Sequence, residues 1–312
     1  MGLSAPILNA PMGGVAGGTL ASAVSAAGGL GMIGVGSAGS VTLLKREAEH
    51  PRRAGLPFGI GLLDWAVARE PALLDAALSA APMLISVSFG DDWAWSARVR
   101  DAGIATAAQV SDVTAARRAA DAGVDVIVAR GAEGGGHGEA KVGTLPLLEG
   151  VLDAVSLPVL AAGGISSARG LAAVLAAGAS GAWMGTTFAA CSESLASEAA
   201  REALLRAAET DTVTTSVFDI ALGYNWPSRF EERVLRNDFW ERWSGREEAL
   251  ASDSAARAAL AAAIAVGDYR LAHVDAGQGV GLITKVCSAA EVVARMCAGS
   301  TELLSSCVDD RP

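Results

Sequence analysis

Eight short apolar runs, separated mostly by alanine-rich helical patterns, constrain this chain more than any other feature. They are Ile7–Met12, Leu30–Gly36, Pro57–Leu63, Met83–Phe89, Ile104–Val110, Val124–Ala129, Pro158–Ala162 and Ala182–Phe188. The runs read as continuously apolar, the pattern of strands covered on both faces in a parallel sheet. Four of the intervening helical patterns stop at the same kind of join, Ala26-Ala27-Gly28, Asp101-Ala102-Gly103, Asp121-Ala122-Gly123 and Ala176-Ala177-Gly178. Glycine there takes the left-handed conformation that closes a helix and that other residues adopt only at a steric cost. Helix, glycine stop and buried strand in repetition mark βαβ units. Eight of them predict an α/β fold closed as a (β/α)8 TIM barrel, with an open doubly wound sheet as the alternative.

After the eighth run the pattern changes, and residues 195–269 read as helices, most clearly over Leu195–Ala208, Arg229–Trp243 and Ser252–Val266. The expected organisation is a barrel made from residues 1–194 and about 274–312, with a smaller helical lobe, about 195–273, inserted after the eighth strand. Ser288 and Glu291 form a capping box that opens a last helix. A composition that is 51% hydrophobic with 37 glycines fits a large core of closely packed helices.

The formal charge of -10, without a Lys or Arg cluster longer than a pair, argues against nucleic acid or an anionic membrane as partner and favours a small molecule. Cys191, Cys287, Cys297 and Cys307 form no CxxC pair and have no histidine at metal-ligand spacing, so neither a disulfide nor a metal site is expected. The N-terminus lacks the features of a signal peptide, and charges or glycines interrupt the apolar runs, so a cytoplasmic, soluble protein is expected. A homodimer is kept as an open expectation.

In a (β/α)8 barrel the chemistry sits on the loops at the carboxyl ends of the strands. The seventh strand runs into Gly163-Gly164 and the eighth into Gly185-Thr186. Bare amides beside a helix N-terminus form a plausible phosphate cradle, although a lone glycine pair would be only a tight turn. The sixth strand runs into ARGAEGGGHG, which places His137 on the same face as that cradle, behind Gly134, Gly135 and Gly136. Three glycines let a flat ligand approach the backbone, and His137 is then a base or a hydrogen-bond donor. His50 and His273 read as solvated, no GxSxG elbow is present, and the neighbouring Asp91-Asp92 is a poor glycosidase pair because adjacent side chains point apart. Trp65, Phe89, Trp93 and Trp95 follow the third and fourth strands, as a pocket wall or as core.

Five stretches, Asn9–Gly34, ARGAEGGGHG, Pro158–Ser194, Val234–Phe239 and Ala276–Ile283, together resemble the nitronate monooxygenase family, whose scaffold is shared with the FMN-dependent enoyl-ACP reductases. The resemblance implies a TIM barrel with a smaller helical domain and non-covalent FMN. It places Pro11, Met12 and Gly135 against the flavin ring, and Gly163, Gly164, Met184, Gly185 and Thr186 at its phosphate. His137 falls on the family's active-site histidine, and Gln278 on a loop that approaches the flavin. The implied reaction is oxidation of a nitronate with molecular oxygen to a carbonyl compound and nitrite, with His137 as base should a neutral nitroalkane also be accepted.

Two positions depart from the family pattern. Gly61 replaces a common asparagine, and Arg130 replaces a glutamine. Arg130 either points into the site, to stabilise reduced flavin or a substrate oxyanion, or outward as a surface cation. These departures motivate a rival reading, an NAD(P)H-dependent enoyl reductase or a dehydrogenase of a specialised pathway. A barrel without flavin acting on a phosphorylated metabolite, or a flavin-binding protein without turnover, is the remaining alternative.

Overall fold

The computed structural model describes residues 2–309, with side chains through residue 306. Its strands are β1 (Ile7–Asn9), β2 (Gly31–Gly34), β3 (Phe58–Leu63), β4 (Leu84–Ser88), β5 (Ala105–Val110), β6 (Val126–Arg130), β7 (Gly136–His137), β8 (Val159–Ala162), β9 (Gly181–Met184), β10 (Thr212–Thr215) and β11 (Glu232–Leu235). Eight of them form one parallel sheet in the order β1-β9-β8-β6-β5-β4-β3-β2. A bridge between Leu8 and Leu30 brings β1 back to β2, so the sheet closes into the expected barrel.

Burial on both faces accounts for the uninterrupted apolar runs. Leu8, Met32, Leu84, Val128, Leu160 and Trp183 fill the barrel interior, while neighbours such as Ile7, Ile33, Ile85, Ile127, Ala161 and Ala182 join the layer under the helices. Successive residues on a strand point to opposite faces, so both sets have to be apolar. The four expected glycine stops have φ of 95° at Gly28, 73° at Gly103, 80° at Gly123 and 107° at Gly178.

The seam between β1 and β2 is the thinnest part of the wall. There the buried Asn9 side chain replaces ladder bonds. Its Nδ2 donates to the Met32 carbonyl at 2.9 Å, and its Oδ1 accepts from the Met32 amide at 2.8 Å.

The segment after the eighth barrel strand departs from an all-helical reading. Helices Glu198–Arg206, Val217–Leu222, Asp238–Trp243, Glu247–Ser252 and Ser254–Val266 are joined by a three-stranded antiparallel sheet, β10-β11-β7. The stretch Arg229–Trp243, expected to be one helix, holds β11 and then the short helix Asp238–Trp243. Pairing with residues far away in sequence overrides local propensity there. Val217, Phe218, Val234, Phe239, Trp243 and Leu260 give the lobe its own core. The last helix, Ala289–Asp309, opens on the Ser288–Glu291 capping box, with Ser288 N donating to Glu291 Oε2 at 2.8 Å, and packs against the helix Ala168–Ala176. No helix among the described residues is long and apolar enough to cross a membrane.

Replacing Asn9 with alanine leaves the Met32 amide and carbonyl buried without partners. At roughly 1–3 kcal/mol per unsatisfied group, the expected loss is about 2–4 kcal/mol, read as a lower urea midpoint at unchanged m-value.

Candidate active site

The carboxyl ends of the barrel strands open into a cavity of about 580 Å³, within the range of small-molecule sites. His137 reaches it from β7, which is held in register by β11: Glu232 lies opposite His137, and Arg233 opposite Gly136. The imidazole of His137 lies flat on Trp226, with ring centroids 3.6 Å apart and planes 6° from parallel. Its Nε2 is 2.8 Å from Asp219 Oδ2 on the helix Val217–Leu222. An ionised carboxylate can only accept, so Nε2 is the donor to Asp219 and Nδ1 is the ring nitrogen not engaged with it. Trp226 is fixed by its Nε1–H, which donates to Ser37 Oγ at 3.0 Å, and by edge-on contacts with Trp65 at 5.7 Å and Phe89 at 5.0 Å. Phe89 directly follows β4 with a φ of 70°, a strained conformation for a bulky residue that turns the chain at the cavity wall.

The glycine stretch before His137 is held from behind. Arg130 is buried, and its Nη2 donates to the carbonyl oxygens of Gly134 at 2.8 Å, Gly135 at 3.2 Å and Gly136 at 3.0 Å. Burial, with Arg233 as a further positive charge, lowers the Arg130 guanidinium to about 10, so it remains charged at neutral pH. Glu133 in the same loop accepts from the Thr144 amide and hydroxyl, at 2.8 and 2.7 Å. Thr144 Oγ1 also lies 3.0 Å from the Gly163 carbonyl, which ties this loop to the one after β8.

That second loop turns at Gly163, φ 115°, and Gly164, φ 68°. A Cβ on Gly163 would stand 2.7 Å from Thr144 Oγ1, so both conformation and space demand glycine. Ser167 caps the following helix, its Oγ accepting from Gly170 N at 3.2 Å. Thr186 opens the short helix after β9, and its Oγ1 accepts from Gly277 N at 2.9 Å.

Beside His137 lies Glu232, only 2% exposed. Burial, then the nearby Asp275 and Asp219, raise its carboxyl well above the usual range. One potential donor atom from each of His137, Asp219 and Glu232 lies within 4.8 Å of the others. Within the three, His137 and Asp219 are joined by the 2.8 Å hydrogen bond, while Glu232 Oε1 has no partner.

The nitronate monooxygenase family profile matches residues 66–299. A nitronate monooxygenase of Paraburkholderia phytofirmans is 32% identical, over 95% of this chain and 92% of its own. The chain belongs to the nitronate monooxygenase family. An octahydro-indene-carboxyl-CoA dehydrogenase of Mycobacterium tuberculosis is also 32% identical, over 86% of this chain and 72% of its own. Among solved structures, nitroalkane oxidase from Streptomyces ansochromogenes superposes with a TM-score of 0.84 at 29% identity, covering 98% of each chain.

Most residues expected from the family pattern converge on the cavity: Pro11, Met12, Gly61, Arg130, Gly135, His137, Gly163, Gly164, Met184, Gly185 and Thr186 all line it. Gln278 does not. Its side chain is exposed, and its backbone amide donates to the Glu133 carbonyl at 2.9 Å. Arg130 is buried on the cavity wall, so it is no surface cation, and its Nη2 folds back to donate to its own loop.

His273, expected in solvent, lines the cavity, packs 5.3 Å from Phe218, and has a buried Nδ1 without a partner. His50 is exposed as expected. Phe89 lines the cavity and Trp65 braces Trp226, while Trp93 and Trp95 belong to the core. Asp91 and Asp92 are exposed, and Asp91 pairs with Arg229 at 2.6 Å. Cys191, Cys287 and Cys297 are free thiols, and burial pushes Cys191 up to about 12; the Cys307 side chain lies outside the described residues.

Asp219, Trp226 and Glu232 escaped the sequence reading. An aspartate inside the apolar run VFDIAL and a glutamate starting ERVL were the available signals.

A carboxyl raised by burial stabilises the fold fully below its unfolded value of 4.5, and that contribution is lost as pH rises through the folded value. Glu232→Gln is therefore expected to melt above the wild type at pH 8, with the advantage shrinking toward pH 4.5; thermal melts across that range check it.

Proposed function

We propose that the chain is an FMN-dependent nitronate monooxygenase that oxidises small alkyl nitronates with molecular oxygen. The observation that supports this most is the Asp219–His137 pair, 2.8 Å apart, on the wall of a cavity whose other side is a glycine cradle.

The residues present suit FMN. Gly61 and Gly135 sit tight against neighbouring chain, a Cβ standing 2.3 Å from the Pro11 ring and 2.6 Å from Gly277 N, and both present bare backbone to the cavity that a flat ring could approach. Pro11 and Met12 would flank such a ring, and Gly163, Gly164, Met184, Gly185 and Thr186 would hold its phosphate. The buried Trp183 Nε1–H lines the cavity without a protein acceptor, a donor left for a ligand. Arg130 and the Gln278 backbone hold these loops in shape. FMN held there would supply the two-electron redox chemistry that links substrate oxidation to oxygen.

The chain's own residues bind and orient the substrate and handle its proton. Asp219 keeps the His137 proton on Nε2, which leaves Nδ1 basic. That nitrogen takes the α-proton from a neutral nitroalkane, and Asp219 stabilises the imidazolium that results. Toward a nitronate, already deprotonated, the same ring serves as a positioning donor once protonated. Trp226, stacked on the ring, and Phe89 exclude water from that side and suit small alkyl groups. The expected working place is the cytoplasm.

The dehydrogenase relative, as similar in identity as the monooxygenase, supports a second reading: oxidation or reduction of a CoA thioester. Anaerobic stopped-flow mixing separates the two. Protein reconstituted with FMN should lose its flavin absorbance on mixing with a nitronate and not on mixing with NAD(P)H. Bleaching by NAD(P)H alone would replace the proposal with the second reading.

His137→Asn should lower kcat/KM for a neutral nitroalkane by about 10²–10⁴-fold, the usual contribution of a general base, with a much smaller loss for the preformed nitronate. Asp219→Asn should show the same selective loss, because the amide no longer stabilises the imidazolium. Steady-state kinetics with both substrate forms is the check.

A further inference from the structure

Glu232 has a position that the proposed chemistry does not use. It stands directly opposite His137 in the β11–β7 pair, so the two side chains project from the same face of that small sheet. It is 2% exposed, it lines the cavity, and its Oε1 has no hydrogen-bond partner in the protein. A buried polar atom left unpaired is costly unless a ligand completes it. The groups facing it come from several elements: His137 on β7, Asp219 on the helix Val217–Leu222 and Asp275 after β11, with His273 elsewhere on the cavity lining. Asp219 is already committed to His137.

We propose that Glu232 contacts the substrate, its carboxylic O–H donating a hydrogen bond to an oxygen of the planar oxyanion that His137 approaches from the side. This rests on the nitronate reading above for the identity of that oxyanion. An ionised Glu232 would add a third negative charge beside Asp219 and Asp275 and would repel any anion. As a neutral acid it removes that charge and offers a donor in a site shielded from water, where such a bond is strongest. Burial and the two aspartates shift Glu232 toward its protonated form. The two groups then divide the work. His137 handles the carbon side and its proton, and Glu232 receives an oxygen. The site would therefore select planar oxyanions over neutral molecules of the same shape.

The test uses FMN-loaded protein and acetate, a planar oxyanion that cannot be oxidised in this way, with binding followed by the change in flavin absorbance against pH. In the wild type, acetate binding should weaken by about tenfold per pH unit once Glu232 ionises. Glu232→Gln keeps a donor that cannot ionise, so it should lose that limb. Glu232→Leu should bind acetate at least tenfold more weakly at every pH. Infrared difference spectra at pH 7 should contain the carbonyl band of a protonated carboxylic acid that is missing from Glu232→Gln. Absence of that band, or identical pH profiles for wild type and Glu232→Gln, overturns the proposal. If a nitronate is oxidised while the profiles coincide, Glu232 has no such role and the proposed function stands. If no nitronate is oxidised while the profiles separate as described, the role of Glu232 stands and the proposed function fails.

Discussion

The geometry of the cavity depends on one buried cation holding a loop that has no side chains of its own. Gly134, Gly135 and Gly136 turn their carbonyls onto the Arg130 guanidinium. Peptide planes are rigid, so the amides of Gly135, Gly136 and His137 point away from it. Burying a guanidinium costs several kcal/mol, and each charge-assisted bond returns about 1.5–3 kcal/mol. With gain and cost of similar size, the arrangement contributes little net stability and instead selects one conformation for a stretch that would otherwise have many. Every later placement follows from this: β7 can pair with β11, His137 can meet Asp219, and the lobe is tied to the barrel.

The barrel was legible because its physics is local and repeated. A strand buried on both faces has to be apolar throughout, and a helix that turns into it has to stop on a residue that tolerates positive φ. Both leave marks within a few residues, as at Gly103 and Gly123. The lobe's sheet left weaker marks. Thr212–Thr215 is β-branched and Glu232–Leu235 is short, and neither is a strand until it finds its partner, about 20 residues apart for β10 and β11 and about 95 for β11 and β7. Loop-built contacts of this kind carry no sequence period, and Asp219, 82 positions from His137, could be placed only once the chain had folded.

Gly135 and His137 were legible for the opposite reason, since a run of bare backbone beside an imidazole has few uses. Arg130 could be noticed but not interpreted. Whether a long cation reaches toward a ligand, toward solvent or back to its own chain depends on which acceptors are left unpaired. Here those acceptors are the carbonyls of the loop that Arg130 itself introduces. The same reasoning reassigns His273, whose place before a polar loop suggested solvent. The closing segment folds it inward against Phe218, on the wall of the cavity.

Gly61 carries this one step further. The amide expected there by resemblance is absent, and the space its Cβ would need is taken by the Pro11 ring, 2.3 Å away. Loss of a side chain on β3 is thus matched by closer approach of the loop after β1. The surface facing the cavity at that point becomes apolar ring and bare backbone instead of a hydrogen-bonding amide. Polar contact with a substrate then falls to other parts of the cavity, to Ser86, Ser88 and Gln109 on the barrel strands and to His137, Asp219 and Glu232, which stand together. The ionisable groups of the cavity are thus concentrated where β7, β11 and the helix Val217–Leu222 meet, while the barrel strands, Arg130 apart, contribute neutral side chains and bare backbone at Gly61.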